Sequence, residues 1–392
     1  MRAVRLLYLT PRFPHPSRKG DQLAAFHRIV QLGRRHDITL VSFYEDEGEL
    51  EHLDLLREIC ETVELVQLPR WRGAANVALR GAFDRVPLQI HYYSSARLAE
   101  AVRSIAGRGT FDVAHAIMLR MAPYLGLVGA ARVLDAIDSM ELRMRRNIEV
   151  ERPPRRWLFQ TELRRVALYE RTVARSLDAV LVASTQDVQS FGDTSVDVVP
   201  NGVDATEFAP DRQARTPGMI VFSGTMSYPP NVRAATWFAD NCFPLIRERV
   251  PDARFVIAGA APVREVRELG SRSGIVVTGF VPSMPRTLNA ASVAVAPMLS
   301  GAGIQNKILE AMACGLPVVT TTIGLGGITA AVDRELLVAD TDADIASVVV
   351  SLLQDREGAR EVGDAARARV LQSYTWEESA AAVERIYRRI TA

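Results

Sequence analysis

The 392-residue sequence predicts an α/β protein built from two Rossmann-like, doubly wound domains. Three observations carry that expectation. Short apolar runs of buried-strand type, such as Val4–Leu9 and Ser292–Ala296, alternate with helix-length amphipathic stretches, which is the pattern of a parallel sheet covered on both faces. The alternation breaks at a proline- and glycine-rich segment, 205–218, and then starts again. The length suits two ordinary domains, each with its own core.

In chain order, Val4–Leu9 reads as the first strand and leads into a loop, Thr10–Asp21, with three prolines and a glycine. Leu23, Phe26, His27 and Val30 then give a helix one apolar-leaning face, and Ile38–Phe43 supplies the next strand, completing a βαβ unit. Ligands in such folds bind at the carboxyl ends of strands, where Gly20, Arg12 and Lys19 lie. A helix over Leu53–Cys60 and a strand over Val63–Leu68 follow. Residues 69–94 show no clear period and read as irregular structure, lining an acceptor pocket or packing the domain edge. Phe111–Ile117 is the next strand, with His115 near its end, either as a structural strand histidine or as a ligand to the acceptor or sugar. Val133–Ser139 is another, and its Asp138 suits either sugar hydroxyls or a helix N-cap.

From Glu141 to Ser176 the chain is helical, carries ten arginines and is broken at Pro153-Pro154. Its apolar positions suit packing on its own domain or contact with an anionic membrane, and interspersed glutamates favour the former. Asp178–Ser184 forms a strand, and Val196–Asp204 closes the first domain. The second domain runs through Met219–Ser223, a helix over Asn231–Arg249, Arg254–Ala258 and Ile275–Val281. The expected divisions are therefore 1–204, a linker at 205–218, 219–373, and a final helix at 374–392.

The most informative stretch is Pro297–Pro317. A buried strand precedes it, two glycines at 301 and 303 open the backbone to close approach, and a helix follows with Ile304, Ile308 and Met312 on one side and Asn306, Lys307 and Glu310 on the other. Strand, glycine loop and helix N-terminus make an anion site, to which Lys307 adds a full charge. Glu310 is placed to accept hydrogen bonds from the paired hydroxyls of a ribose. The same two residues also suit an ordinary surface pair three positions apart.

Gly-Ile-Gln-Asn-Lys-Ile-Leu-Glu-Ala-Met-Ala-Cys-Gly-Leu-Pro (303–317) resembles the donor-site segment of the retaining family-4 glycosyltransferases, in the subgroup with a Gly-Ile-Gln-Asn-Lys core. Val199-Pro-Asn-Gly-Val-Asp204 is similar to that family's domain junction. The resemblance implies the GT-B fold: two domains facing across a cleft, with a last helix, here Tyr374–Tyr387, crossing back to the first. It implies a nucleotide-diphosphate sugar held by Gly303, Ile304, Gln305, Asn306 and Lys307, with Glu310 on the ribose. Gly20, Gly224 and Thr225 would face phosphate, and Gly279, Phe280 and Val281 the nucleobase. Lys307, Asp138 and His115 are the catalytic candidates, and Arg12, Lys19 and Asp138 the acceptor candidates. Three departures stand out: Ala302 replaces a second glutamate, Ile117 and Ile137 replace histidines, and Thr225–Asn231 carries no base.

The expected activity is retaining sugar transfer from a nucleotide-diphosphate sugar, UDP-sugar foremost, to a hydroxyl acceptor in polysaccharide or glycoconjugate synthesis, with a small metabolite such as an aminocyclitol as the alternative acceptor. A nucleotide-sugar 2-epimerase and a catalytically silent binding protein are the rival classes. The balance of 47 basic and 46 acidic residues excludes a polyanion-driven partner such as nucleic acid. Three scattered cysteines fit a reducing compartment, and neither metal nor other cofactor is expected. With no apolar run long enough to span a bilayer, the expected location is cytoplasmic, with peripheral contact at the inner membrane face.

Overall fold

A computed structural model describes residues 3–16, 20–81, 84–150, 155–300 and 303–392. The chain divides into two compact units: residues 1–200 with 379–392, and residues 201–378. The first unit holds a seven-stranded sheet: β1 (Arg5–Thr10), β2 (Asp37–Tyr44), β3 (Thr62–Gln67), β4 (Val113–Ile117), β5 (Ala131–Ile137), β6 (Ala179–Val182) and β7 (Asp197–Val198), in the order β3-β2-β1-β4-β5-β6-β7. The second holds six: β8 (Met219–Ser223), β9 (Arg254–Ala258), β10 (Ile275–Gly279), β11 (Val293–Ala296), β12 (Val318–Thr320) and β13 (Leu337–Val338), ordered β10-β9-β8-β11-β12-β13. All pairings are parallel. In both sheets the order reverses beside the first strand, which is where such folds place ligands.

The strands are apolar because both faces are covered. Leu6, Leu7 and Leu9 of β1, Val113 and Ala114 of β4 and Val133 and Leu134 of β5 are fully buried. In the second unit Phe222, Phe255 and Phe238 share the core, the last two with ring centroids 4.6 Å apart. β12 and β13 went unread in the sequence because they are only three and two residues long.

Much of 69–94 is helical, where the sequence suggested irregular structure. Helices form over Arg70–Arg80 and Leu88–Tyr92, each introduced by a proline in extended conformation, Pro69 and Pro87. Their periodicity was obscured because much of the first is exposed, including Trp71 and Leu79, while Ile90 and Tyr93 join the core beside Phe43. The arginine-rich stretch forms helices Met140–Val150 and Arg155–Ala174. Val166 and Ala174 of the latter are buried, whereas Trp157 and Leu168 face solvent. No described helix is long and apolar enough to cross a membrane.

Residues 205–218, read as a linker, are fastened to the second unit. The Asn289 side chain accepts from Asp211 N at 2.8 Å and donates to Ala209 O at 2.8 Å, and Arg367 donates to Phe208 O at 3.2 Å. Asn201-Gly202 lies against residues 374–376, where Val203 N donates to Tyr374 O. A Cβ on Gly202 would stand 2.5 Å from Trp376 N, so only glycine permits that approach.

The last helix, Trp376–Thr391, supplies Tyr387 and Ser379 to the first unit. There a fully buried Arg28 pairs with Asp135 of β5 and donates to Ser379 Oγ and Val199 O, both at 3.2 Å. Removing one partner of a buried ion pair strands the other charge. Asp135→Ala is expected to lower stability by about 3–5 kcal/mol, read as an earlier unfolding transition.

Candidate functional site

The site in the second unit is built where β8, β9, β10 and β11 end. Gly224, Gly259 and Gly279 close the first three of these strands, all with positive φ (+145°, +144° and +67°). Gly259 N donates to Gly279 O at 3.1 Å and Gly224 N to Ala258 O at 3.0 Å. The loops stack so tightly that a Cβ on Gly259 would lie 1.9 Å from Gly224 O, and one on Gly224 would meet Asn231 Nδ2 at 2.7 Å. The sequence flagged Gly224, Thr225 and Gly279, but not Gly259 as a packing requirement.

From β11 the chain reaches Gly303, at φ +68°, and then the helix Asn306–Ala313. That helix begins two residues later than the spacing suggested, so Ile304 reaches the core from the loop. Ile308 and Met312 are fully buried beneath it, and Gly315, at φ +65°, ends it. Asn306 Oδ1 is buried without a hydrogen-bond partner among the described residues. Ala302 and Lys19 lie outside the described residues.

Lys307 is the decisive side chain. Its ammonium donates to Asn231 Oδ1 at 2.5 Å, lies 4.8 Å from the Phe222 ring centroid and stands 3.7 Å from Met298 Sδ. It forms no salt bridge with Glu310, so the surface-pair reading does not hold. Burial without a carboxylate at contact distance pushes its pKa down to about 7, with Glu310 opposing the shift. Burial pushes Glu310 the other way, up to about 7, against the pull of Lys307 and with help from Glu207. A second cation was missed in the sequence. Arg233, in the helix Pro229–Trp237, donates to Ser300 Oγ at 2.7 Å, and its Nε is buried without a partner among the described residues. It lies two positions beyond Asn231, the end of the base-free segment Thr225–Asn231. Phe280 is 76% exposed and Val281 partly buried beyond Gly279, leaving an aromatic face in solution.

In the first unit, the strand ends gather a different set. Ile137 (φ +62°) and Met118 (φ +64°) hold strained backbone after β5 and β4. Asp138 follows Ile137, with its pKa raised chiefly by burial and its Arg143 and Arg146 neighbours opposing. It is not the helix cap, because Ser139 Oγ accepts from Leu142 N at 3.1 Å. Two buried carboxylates fix this turn: Glu170 accepts from Met140 N at 2.6 Å and Asp187 from Ser139 N at 2.9 Å. Arg12 is committed to a bidentate pair with Asp21. Arg120, unflagged in the sequence, is buried against the Tyr93 ring at 4.8 Å. Gly20 opens the helix Gly20–Leu32 and has open space where a Cβ would stand.

Of the two readings of His115, structural strand histidine or ligand to acceptor or sugar, the geometry favours the first. The residue is fully buried in β4, stacked on Tyr8 at 4.6 Å and bonded through Nδ1 to the Tyr387 hydroxyl at 2.6 Å. Burial and the nearby Arg28 drive its pKa down to about 3. A neutral imidazole sealed in the core cannot exchange protons with a ligand, so its role is structural.

Residues 217–355 match the family profile described as Glycosyl transferases group 1. Similarity extends well beyond that segment. The chain is 22% identical over 392 residues to an uncharacterized 44.6 kDa protein in the cps region of Klebsiella pneumoniae, covering 95% of this chain and 96% of that one. It is 26% identical over 359 residues to the GDP-mannose-dependent alpha-(1-6)-phosphatidylinositol monomannoside mannosyltransferase of Mycolicibacterium smegmatis, covering 81% and 88%. Its fold matches that of Anabaena HepE in complex with UDP, with a TM-score of 0.67, 15% identity and coverage of 98% and 100%. The fold is thus GT-B, and the proteins that the chain is similar to include glycosyltransferases.

The stacked loops yield a contrast. Gly259→Ala forces backbone apart at a φ that side chains avoid and is expected to lower the thermal midpoint by several degrees. Gly20→Ala, entering open space at the start of a helix, is expected to leave that midpoint unchanged in the same scan.

Proposed function

We propose that the protein is a retaining glycosyltransferase that moves a sugar from a nucleotide-diphosphate donor to a hydroxyl acceptor. The observation that carries this reading is the Lys307 ammonium, desolvated beside glycine loops and a helix N-terminus with no carboxylate of the described residues in salt-bridge range. Such a site is incomplete without an anion. A diphosphate supplies it, and Lys307, Arg233 and the amides of the Gly224 and Gly303 loops then stabilise the charge that grows on the leaving group. Glu310 binds the ribose, and Gly279, Phe280 and Val281 meet the base. The second unit is the donor domain by this reading and the first the acceptor domain, where Asp138 takes sugar or acceptor hydroxyls. No strong protein base is needed if the departing phosphate accepts the proton of the incoming hydroxyl on the same face.

The cps-region and phosphatidylinositol-mannoside relatives support a glycan or glycolipid acceptor over a small metabolite. UDP and GDP are the first donor nucleotides to try, because HepE was crystallised with UDP and the mannosyltransferase is GDP-mannose-dependent. Exposed Trp157 and Leu168 on an arginine-rich helix support peripheral contact with an anionic bilayer.

A thermal-shift screen with nucleoside diphosphates tests the donor site. The cognate nucleotide at 100 times its Kd is expected to stabilise by about 2.7 kcal/mol, and no response to any would refute the reading. Lys307→Ala is expected to lower kcat/KM on the order of 10²-fold through loss of charge stabilisation. Proton linkage gives a sharper check. Phosphate favours charged Lys307, so binding at about pH 8 takes up a proton, whereas ribose hydroxyls favour ionised Glu310, so binding at about pH 6 releases one. Calorimetry in buffers of different ionisation enthalpy should show that change of sign.

A further inference from the structure

Beyond the sugar-transfer reading, the first unit holds a cluster that the reaction does not use. His15 lies in the segment after β1, and Glu51 and His52 directly precede the helix Leu53–Ile59 that follows β2. Ligand atoms of the three side chains all fall within 4.8 Å of one another. His15 Nε2 is 3.7 Å from Glu51 Oε2, and the His15 and His52 rings meet edge to face at 4.7 Å. We propose that His15, Glu51 and His52 bind a divalent transition-metal ion of the zinc class, which clamps the segment after β1 to the segment after β2.

The donor set selects the ion. Two imidazoles and one carboxylate suit Zn²⁺, Co²⁺ or Ni²⁺, whereas Mg²⁺ and Ca²⁺ require mostly oxygen. The spacing is close to what coordination needs. With donors about 2.0–2.2 Å from the ion, two ligand atoms on a tetrahedral edge are about 3.4 Å apart, so the carboxylate and His15 are nearly in place. Small rotations of the half-buried His52 and the exposed Glu51 bring in the rest. The surroundings favour occupancy too. His15 is 3% exposed, and buried Phe26 lies 6.1 Å from the His52 ring, so one side of the site is apolar while the Glu51 side opens to solvent.

The backbone around the ligands is already pinned. His15 N donates to Gln22 O at 3.1 Å, Gln22 Nε2 to Phe13 O at 2.9 Å, and His52 O accepts from Leu56 N at 3.2 Å. The ion would therefore join two ordered segments, and three protein ligands leave a fourth position for water. The clamp reaches the segment that leads into Gly20 and carries the Arg12–Asp21 pair, so it fixes one wall of the strand ends in this unit.

The test uses tag-free full-length protein stripped with a chelator. Titration with Co²⁺ should saturate at one equivalent with visible d–d bands that Zn²⁺ abolishes, and Zn²⁺ should raise the thermal midpoint. His52→Ala, at a half-buried position, should weaken binding more than tenfold while leaving the metal-free midpoint unchanged, and Glu51→Gln should do so to a lesser degree. Absence of bands, or a His52→Ala protein that binds like the wild type, would overturn the proposal and leave a simple imidazole–carboxylate contact.

Discussion

In a parallel sheet every connection has to travel back across a face, which obliges each strand to be followed by a covering segment and gathers all the C-terminal strand ends at one edge. Both sheets of this chain obey that constraint without exception among the described strands. It explains why the strands are apolar on both sides, and why chemistry-bearing residues collect in loops rather than on faces. Gly224, Gly259 and Gly279 end neighbouring strands, and their backbones touch because those strands point the same way. Asp138 and the strained Ile137 occupy the equivalent edge of the other sheet.

A fully buried cation and a partly buried one show how differently desolvation can be used. Arg28 is matched by Asp135, a serine hydroxyl and a backbone carbonyl, so its charge is neutralised within the fold. Among the described residues Lys307 contacts a neutral amide oxygen, a sulfur and an aromatic ring, with Glu310 acting from beyond salt-bridge range. The first arrangement organises a core. The second leaves a local electrostatic demand in a chain of almost zero net charge.

Much of this was legible in the sequence, because strand runs and the glycine–helix unit at 303–317 are local patterns. Met219–Ser223 and Arg254–Ala258 coincide with the strands observed, and Gly315 ends its helix as its position implied. What escaped depends on partners distant in the chain. Asn231 and Arg233 become functional candidates only because their helix brings them to Lys307 and Ser300, 76 and 67 positions away. His115 looked like a candidate near a strand end until Tyr8 and Tyr387 were seen to enclose it, and no spacing rule announces a tyrosine 272 residues downstream. The helix Arg70–Arg80 was hidden for another reason: its exposed apolar residues blur the amphipathic period.

The chain leaves the first unit at Pro200 and returns to it at Ser379. The hydroxyls that complete the environments of Arg28 and His115 belong to Ser379 and Tyr387, which are synthesised after residues 201–378. On the ribosome, then, the order of completion is inverted. Residues 201–378 hold all six strands of their own sheet and can close a core while the first unit, translated earlier, still lacks the segment that seals its central polar cluster.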